Sequence, residues 1–326
     1  MWAVTGSSAR RTLSSMKAAR IKQYGGPEVL ELAEVSTPEP KEDEVVVQVA
    51  ATSVNPIDWQ VRDGAAKSYV KVTFPVILGC ELAGKIVEVG SRVTRLSVGD
   101  EVFAMMPHHW GANAERVVLA ESLVVKKPAK LSMREAAAIP VAAMTSLRGL
   151  VQRARVRPGE RVLINGASGG VGLAAVQIAK AHGAIVTAVC GRDSFERVRA
   201  LGADDLIDYK TSDFTAGEAK YDVIFDCVGN APYAKCSNAL RGRRVHVTTM
   251  PTPKTFIRQF LNPLFGTKVF ALFTTGNGQD LETIKSMIDA GKLKPIVDRV
   301  YPFAEIATAQ EYSKSGRAKG KIVLEM

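Results

Sequence analysis

The sequence predicts an α/β protein in which a β-rich part of the chain is interrupted by a longer part where strands and helices alternate. Three observations lead to this prediction. Short β-like runs dominate as far as about residue 127, strands and helices alternate from residue 161 to residue 248, and the β-like pattern returns after residue 280. The alternating part is therefore expected as an insertion into the β-rich part.

The β-rich part is expected to fold as a compact barrel. Val45, Val47 and Val49 recur at every second position, which is the spacing of a strand with one buried face. Glycines and prolines separate the runs and mark turns. The predicted strands span residues 18–23, 30–34, 44–51, 84–89, 101–104 and 114–118.

After Pro128 the pattern changes to helices and then to alternating strands and helices. Ser132 precedes an alanine-rich helix at 133–139, and a linker helix follows at 144–151. At least five strands then alternate with helices or loops, so we expect a doubly wound parallel sheet with right-handed crossovers. The predicted strands span 161–164, 185–189, 205–207, 221–225 and 244–248, and the helices span 172–182 and 195–201.

The last stretch returns to the first part of the fold, with helices at 281–290 and 303–313 and strands at 297–301 and 320–324. The expected organisation is a targeting extension at 1–15, a barrel domain at 16–138, an inserted domain at 139–279 and a return to the barrel at 280–326.

Composition excludes several classes of protein. With 326 residues and 46% hydrophobic content, the chain is long enough for a buried core in two domains. The four cysteines stand far apart, which indicates neither a disulfide framework nor a structural zinc cage. No apolar run reaches the length of a membrane-spanning helix.

The formal charge of +10 is concentrated at the N-terminus, where five basic residues precede Glu28. Residues 1–15 contain Ser, Thr and Arg but no acid, a composition typical of an organelle transit peptide. The alternative is that these residues precede the true start at Met16. The first interpretation places the protein in a mitochondrion or a plastid, and the second places it in the cytoplasm.

A glycine-rich turn follows the strand predicted at 161–164. Residues 165–172 read Asn-Gly-Ala-Ser-Gly-Gly-Val-Gly, and a helix begins at once. In this context small residues let the backbone approach a diphosphate, and the free N–H groups at the helix start attract its charge. The turn therefore predicts a dinucleotide-binding site.

The end of the next strand indicates which dinucleotide is bound. Enzymes that use NAD place an acid there, about 20 residues on, to bind the ribose hydroxyls. This chain has Gly191, which leaves room for a 2′-phosphate, and Arg192, which can pair with one. NADPH is the predicted cofactor, although a shift of one register would bring Asp193 to the ribose.

At this point the sequence resembles the zinc-free quinone oxidoreductase branch of the medium-chain dehydrogenase/reductase superfamily, which includes enone reductases. The resemblance covers residues 16–326. It implies a GroES-like β-barrel substrate domain and a doubly wound Rossmann cofactor domain. The motifs are Tyr-Gly-Gly-Pro-Glu-Val-Leu at 24–30, Thr-Ser-Val-Asn-Pro-Ile-Asp-Trp at 52–59, Gly-Cys-Glu-Leu-Ala-Gly at 79–84, the glycine turn, and Ile-Asp-Tyr-Lys at 207–210.

The resemblance also implies site residues. Asn55 and Thr145 would contact the nicotinamide, and Tyr209 would reach the 2′-phosphate. The remaining contacts would come from the glycine turn and from the loop at 227–229. Asn55 and Cys80 stand where zinc-dependent members hold their metal, and this pair cannot build a zinc site, so no metal is predicted. The loop residues are Ser168, Gly169, Gly170 and Val171 at the phosphates and Cys227, Val228 and Gly229 under the nicotinamide ribose.

The predicted reaction is transfer of hydride from NADPH to a quinone or an α,β-unsaturated carbonyl. Asn55 would donate a hydrogen bond to the developing oxyanion, and the proton would come from water, Tyr69 or Tyr233. The alternative is an NADPH-binding scaffold or an RNA-binding protein. No nucleic-acid partner is expected, because no RNA-binding motif is found and half of the excess charge lies before Glu28.

Residues 255–273 form the most apolar stretch of the chain, with basic residues interleaved. Three interpretations stay open for it: a wall of the substrate pocket, a dimer interface, or a peripheral contact with a membrane. A buried interface is the commoner explanation. The oligomeric state is left between a monomer and a homodimer.

Overall fold

The structure is a computed structural model that describes residues 15–68, 70–108, 110–216 and 218–326. The targeting extension predicted at 1–15, apart from Ser15, lies outside the described residues, and so does Tyr69.

The first part of the chain folds into short strands, as its period-two pattern predicts. One helix interrupts them after the third strand, where Asn55 precedes a proline at the first helical position. The elements are β1 (Ser15–Ile21), β2 (Glu31–Ser36), β3 (Glu44–Val54), α1 (Pro56–Arg62), β4 (Val76–Ile77), β5 (Glu81–Val89), β6 (Glu101–Met105), β7 (Arg116–Ala120) and β8 (Val124–Lys126).

The middle of the chain begins with two helices and continues as alternating strands and helices. A π-helical turn, Arg148–Arg153, follows the second helix. The elements are α2 (Met133–Ala137), α3 (Pro140–Leu147), β9 (Arg161–Asn165), α4 (Gly170–Ala181), β10 (Ile185–Cys190), α5 (Phe195–Ala200), β11 (Asp205–Asp208), β12 (Tyr221–Asp226), α6 (Tyr233–Cys236), β13 (Leu240–Thr248), α7 (Pro253–Phe260), α8 (Asn262–Phe265) and β14 (Lys268–Ala271).

The remaining elements are α9 (Gly278–Asp289), β15 (Val297–Pro302), α10 (Ile306–Lys314) and β16 (Lys321–Glu325). Strand β16 pairs antiparallel with β3, and β15 pairs with β16. The chain end thus returns to the sheet of the first part. The buried residues of α9, however, belong to the same core as α3 and α4, so this helix packs with the middle part of the chain.

The predicted fold class is confirmed by the sheets. Strands β9 to β14 form one parallel sheet in the order β11-β10-β9-β12-β13-β14, which is the doubly wound order with its switch point between β9 and β12. The barrel strands form a seven-stranded sheet and a three-stranded sheet of β2, β1 and β4. Ligands of such folds bind at the carboxyl ends of the parallel strands.

The apolar stretch at 255–273 divides between two environments. Val269 and Leu272 are buried in the core of the parallel sheet, whereas α7 has no buried residue among those described. In the part of the chain that the structure describes, no helix is long and apolar enough to cross a membrane.

Candidate active site

A long cleft runs between the carboxyl ends of the parallel sheet and the barrel edge formed by β3 and β16. It encloses about 910 Å³, a volume at the upper end of the range for ligand pockets. It brings together the glycine turn, the loop after β12, the start of α1 and the first residue of β16. Its charged residues, within the described chain, are Lys210, Asp213, Lys235, Lys314 and Lys321.

The glycine turn joins β9 to α4 with no room for side chains on its inner side. Gly166 has a φ of +81°, a conformation that favours glycine. A Cβ on Gly172 would lie 2.1 Å from the Gly166 carbonyl oxygen, so any larger residue would push the helix away from the turn. The first N–H groups of a helix have no intrahelical acceptor, and here Gly170 and Val171 line the cleft. This arrangement can hold an anionic group.

The loop after β12 is held by a buried carboxylate. Asp226 Oδ1 accepts hydrogen bonds from the backbone N–H groups of Val228 and Gly229, both at 3.0 Å, and from Asn165 Nδ2 at 2.9 Å. Because Asn165 ends β9 and is the register partner of Asp226, this carboxylate ties the loop to the glycine turn. Cys227 and Val228 line the cleft beside that turn.

On the barrel side the cleft is bounded by a buried polar cluster around Lys321. The Lys321 ammonium donates to Asn55 Oδ1 at 2.5 Å and to Glu81 Oε1 at 2.7 Å. The same carboxylate accepts from Asn55 Nδ2 at 2.9 Å, from the Ser53 hydroxyl and, through Oε2, from the Val141 N–H at 2.6 Å. Glu81 is fully buried, so its charge is compensated inside the protein.

Lys321 also meets the glycine turn. A Cβ placed on Gly170 would lie 2.7 Å from Lys321 Cδ, so the lysine stem passes directly over the first residue of α4. An ammonium has three N–H donors, and Asn55 and Glu81 accept two of them. One N–H donor of the ammonium is therefore left with which it can bind an anion in the cleft.

A second buried carboxylate positions Asn55. Asp58 Oδ2 accepts from the Asn55 backbone N–H at 2.7 Å, and Oδ1 accepts from the Gly79 N–H at 3.2 Å. Burial raises the pKa of Asp58 to about 7, although these hydrogen bonds oppose the shift. Asp58 thus fixes the start of α1, and with it the Asn55 side chain, from beneath the cleft.

Asn55 and Cys80, the pair that the sequence resemblance implies for a metal position, do not suit zinc. Burial raises the pKa of the Cys80 thiol well above its usual value, and the neighbouring Asp58 and Glu81 charges act in the same direction. A protonated thiol and a neutral amide are poor zinc ligands. Among the described residues, no group of three His, Cys, Asp or Glu side chains could hold a metal ion.

The far end of the cleft is lined by Tyr209, Lys210 and Lys235. Gly191 lies behind it, since a Cβ there would be 3.7 Å from the Tyr209 ring. Asp193, the acid that could have met a ribose, forms an ion pair with Lys319 at 2.6 Å. Arg192 is exposed beside it and does not line the cleft.

The structure brings most of the predicted site residues into one place. Thr145 is buried on α3 and its hydroxyl donates to Thr274 at 3.2 Å, outside the lining of the cleft. Gly191, Arg192 and Gly229 also lie outside that lining. The predicted residues that line the cleft are Asn55, Ser168, Gly169, Gly170, Val171, Tyr209, Cys227 and Val228. Tyr233, a predicted proton source, instead lies under the Arg258 guanidinium at 4.9 Å.

Sequence reasoning missed four residues of the site: Glu81, Lys210, Asp226 and Lys321. Glu81 and Lys321 each begin a strand that carries further charges, at Lys85 and Glu88 in β5 and at Glu325 in β16. Nothing in the sequence therefore distinguishes the two buried charges from the exposed ones. Their separation by 240 positions in the chain also hid the pairing.

Comparison with known families gives two matches. The family described as "Alcohol dehydrogenase GroES-like domain" matches residues 41–129, and the family described as "Zinc-binding dehydrogenase" matches residues 201–324. The second description names a metal for which the described residues offer no ligand set.

Several curated proteins are similar over nearly the whole chain. A chloroplast envelope quinone oxidoreductase homolog of Arabidopsis thaliana is 35% identical over 95% of this chain and 98% of its own length. An NADPH-dependent alkenal/one oxidoreductase of the same plant is 35% identical over 95% of this chain and 79% of its own length.

Among solved structures, the quinone oxidoreductase from Coxiella burnetii superposes with a TM-score of 0.86 at 29% identity, over 96% of this chain and 100% of that one. Sequence and structure therefore agree on the relatives of this chain.

Proposed function

Since the chain belongs to the medium-chain dehydrogenase/reductase superfamily, we propose that it is an NADPH-dependent oxidoreductase that works without zinc. Its proposed substrate is a quinone or an α,β-unsaturated carbonyl compound, because quinone and enone oxidoreductases are among its relatives. The observation that supports this most strongly is the cleft itself. A glycine turn suited to a diphosphate and the polar cluster around Asn55 open onto it, and four of its five charged lining residues, among those described, are lysines.

When bound, NADPH supplies the hydride, and the protein supplies binding and orientation. The backbone of Ser168 to Val171 and the third N–H of Lys321 would hold the diphosphate, because the lysine stem lies over Gly170. Thr145, outside the lining of the cleft, would act through its bond to Thr274, which holds α3 against the segment after β14. These residues would bind and orient the cofactor by their positions and charges.

Asn55 is proposed to stabilise the oxygen that becomes negative as hydride adds to the conjugated carbon. Its amide has two N–H donors, and one of them is donated to Glu81 at 2.9 Å. The other is directed at the Ser53 carbonyl and hydroxyl oxygens, both at 3.5 Å, and a substrate oxygen in the cleft is proposed to replace these long contacts. Asp58 and Lys321 keep the amide in place. Water is the proposed proton source.

Preference for NADPH over NADH is proposed to come from Lys210 and Tyr209. Both line the far end of the cleft, where a 2′-phosphate would lie. The Lys319 ion pair holds Asp193, so this acid does not repel the phosphate. Arg192, the residue that sequence favoured for this contact, is the competing candidate.

The function is tested by calorimetry with NADPH and by the consumption of NADPH with a quinone and a short enal. The proposal expects binding and turnover of at least one substrate class, unchanged after dialysis against a metal chelator. Loss of a charge-assisted hydrogen bond costs about 1.5–3 kcal/mol, so Asn55→Ala should lower kcat by about tenfold or more without abolishing NADPH binding. A protein that binds no NADPH would overturn the proposal.

Cofactor preference is tested by Lys210→Gln against the matched charge-loss variant Arg192→Gln. Lys210→Gln should raise the Kd for NADPH by about tenfold or more and leave the Kd for NADH unchanged. If Arg192→Gln shows this effect and Lys210→Gln does not, the 2′-phosphate contact belongs to Arg192.

A further inference from the structure

Asp193 follows the glycine turn by about 20 residues, the place where enzymes that use NAD keep an acid for the ribose hydroxyls. In the structure its carboxylate stays at that place. A Cβ added to Gly191 would lie 3.0 Å from Asp193 Oδ1 and 3.7 Å from the Tyr209 ring, so the carboxylate and the ring lie against the same face of Gly191. Because Tyr209 lines the far end of the cleft, Asp193 lies beside that end.

The Asp193 carboxylate is paired with a lysine from the segment that returns to the barrel. Lys319 lies in the loop at 315–320 between α10 and β16, and its ammonium contacts Asp193 Oδ2 at 2.6 Å. Arg197 of α5 donates a hydrogen bond to the Lys319 carbonyl, so the backbone of this loop is held to the middle part of the chain as well. The ion pair thus joins the barrel side of the molecule to the far end of the cleft.

This ion pair contributes little to the stability of the fold. The Asp193 side chain is 65% exposed and the Lys319 side chain is 39% exposed, and solvent screens such pairs. Its effect is on the charge beside the cleft. The hydrogen bond from Lys319 is the main reason why the pKa of Asp193 lies below its usual value, so the carboxylate is ionised at neutral pH. Without Lys319 this negative charge would lose the cation that contacts it.

The two dinucleotides place opposite demands on this carboxylate. NADPH carries a 2′-phosphate, which a free carboxylate repels, whereas NADH carries a 2′-hydroxyl, which can donate a hydrogen bond to it. The Lys319 ammonium has three N–H donors, and Asp193 accepts one of them. Lys319 can therefore hold Asp193 and still donate to a phosphate oxygen.

We infer that Lys319 decides which dinucleotide this chain accepts, an inference that rests on the proposed function. Lys319 neutralises Asp193 and donates to the 2′-phosphate, so that an acid of the kind found in NAD enzymes becomes compatible with NADPH. Lys210 and Tyr209 bind the phosphate, whereas Lys319 also keeps the acid from selecting NADH. Because Lys319 precedes β16 and Asp193 follows β10, this choice requires the two parts of the fold to be in contact.

Calorimetric Kd values for NADPH and NADH, measured without substrate on Lys319→Gln, test the inference. The Kd for NADPH should rise by about tenfold or more, because the phosphate loses a cation and meets a free carboxylate. The Kd for NADH should fall by about threefold, because Asp193 can then accept a hydrogen bond from the ribose. This gain for NADH distinguishes Lys319 from Lys210, whose replacement is expected to leave NADH binding unchanged.

The double variant Lys319→Gln with Asp193→Asn should lose the gain for NADH, since that gain requires the carboxylate. Lys285→Gln is the matched control, because Lys285 and Asp289 form an ion pair of the same 2.6 Å length on α9 and neither residue lines the cleft. Both Kd values of this control should equal those of the unchanged protein.

The inference is overturned, with the oxidoreductase proposal intact, if Lys319→Gln leaves the ratio of the two Kd values as it is in the unchanged protein. A gain for NADH that persists in the double variant would also overturn it, as would an unchanged protein that prefers NADH. An unchanged protein that binds neither dinucleotide would instead overturn the proposed function, and the inference with it.

Discussion

Replacement of Lys321 by Met removes the cation from the buried cluster and keeps most of the apolar stem. The Lys321 side chain is 8% exposed and the Glu81 side chain is 0% exposed, with 2.7 Å between Nζ and Oε1. Lys321→Met therefore leaves the Glu81 carboxylate in the protein interior with no cation in contact. Because Lys321 lines the cleft, water from the cleft can reach the place of the ammonium and offset part of this loss.

The expected cost is the penalty for breaking a buried ion pair from one side, about 3–5 kcal/mol. We expect the lower end, about 3 kcal/mol, because Glu81 keeps its hydrogen bonds from Ser53, Asn55 and the Val141 N–H. The double variant Lys321→Met with Glu81→Gln buries no charge. It should be less destabilised than the sum of the two single variants by about 2 kcal/mol or more.

Urea unfolding followed by circular dichroism, without cofactor, measures the free energies of unfolding of the four proteins in this cycle. Arg134→Met is the control, because its ion pair with Glu325 lies on the surface and contributes about 0–1 kcal/mol. The reasoning fails if Lys321→Met changes the free energy of unfolding by less than about 0.5 kcal/mol. It also fails if the two single effects add in the double variant.

Two further predictions concern the glycine turn and the carboxyl beneath Asn55. Gly172→Ala should weaken NADPH binding, measured by calorimetry, by about a hundredfold, because its Cβ would overlap the Gly166 carbonyl. Gly159→Ala is the control for backbone strain away from the cleft, because Gly159 has a φ of +80° and nothing lies near its Cβ; it should lower stability and leave NADPH binding unchanged. For Asp58, a pKa raised to about 7 means that the folded state keeps a proton which the unfolded chain loses near pH 4. The stability of the unchanged protein should therefore fall by up to about 4 kcal/mol, relative to that of Asp58→Asn, as the pH rises from about 4 to about 7. If the urea midpoints of the two proteins instead run parallel across this range, Asp58 is ionised in the fold and the prediction is wrong.

Local patterns were enough to predict much of the fold. The period-two spacing of Val45, Val47 and Val49 and the strand, glycine turn and helix around 161–182 depend only on neighbours in the chain. Strand β14 and the helices α6 to α8 were missed, because their apolar residues divide between a buried edge strand and an exposed helix. A single run of apolar letters does not show which of these residues face water.

By itself, then, the sequence determined the fold class, the place of the glycine turn and the kind of chemistry, since each depends on residues close together in the chain. Only the tertiary structure decided which charges meet. Lys321 joins Glu81 and Asn55 because β16 returns to pair with β3, and Lys210 lines the cleft where Arg192 does not. Such contacts depend on strand register and on the exit angle of loops, which are set by packing across the whole molecule.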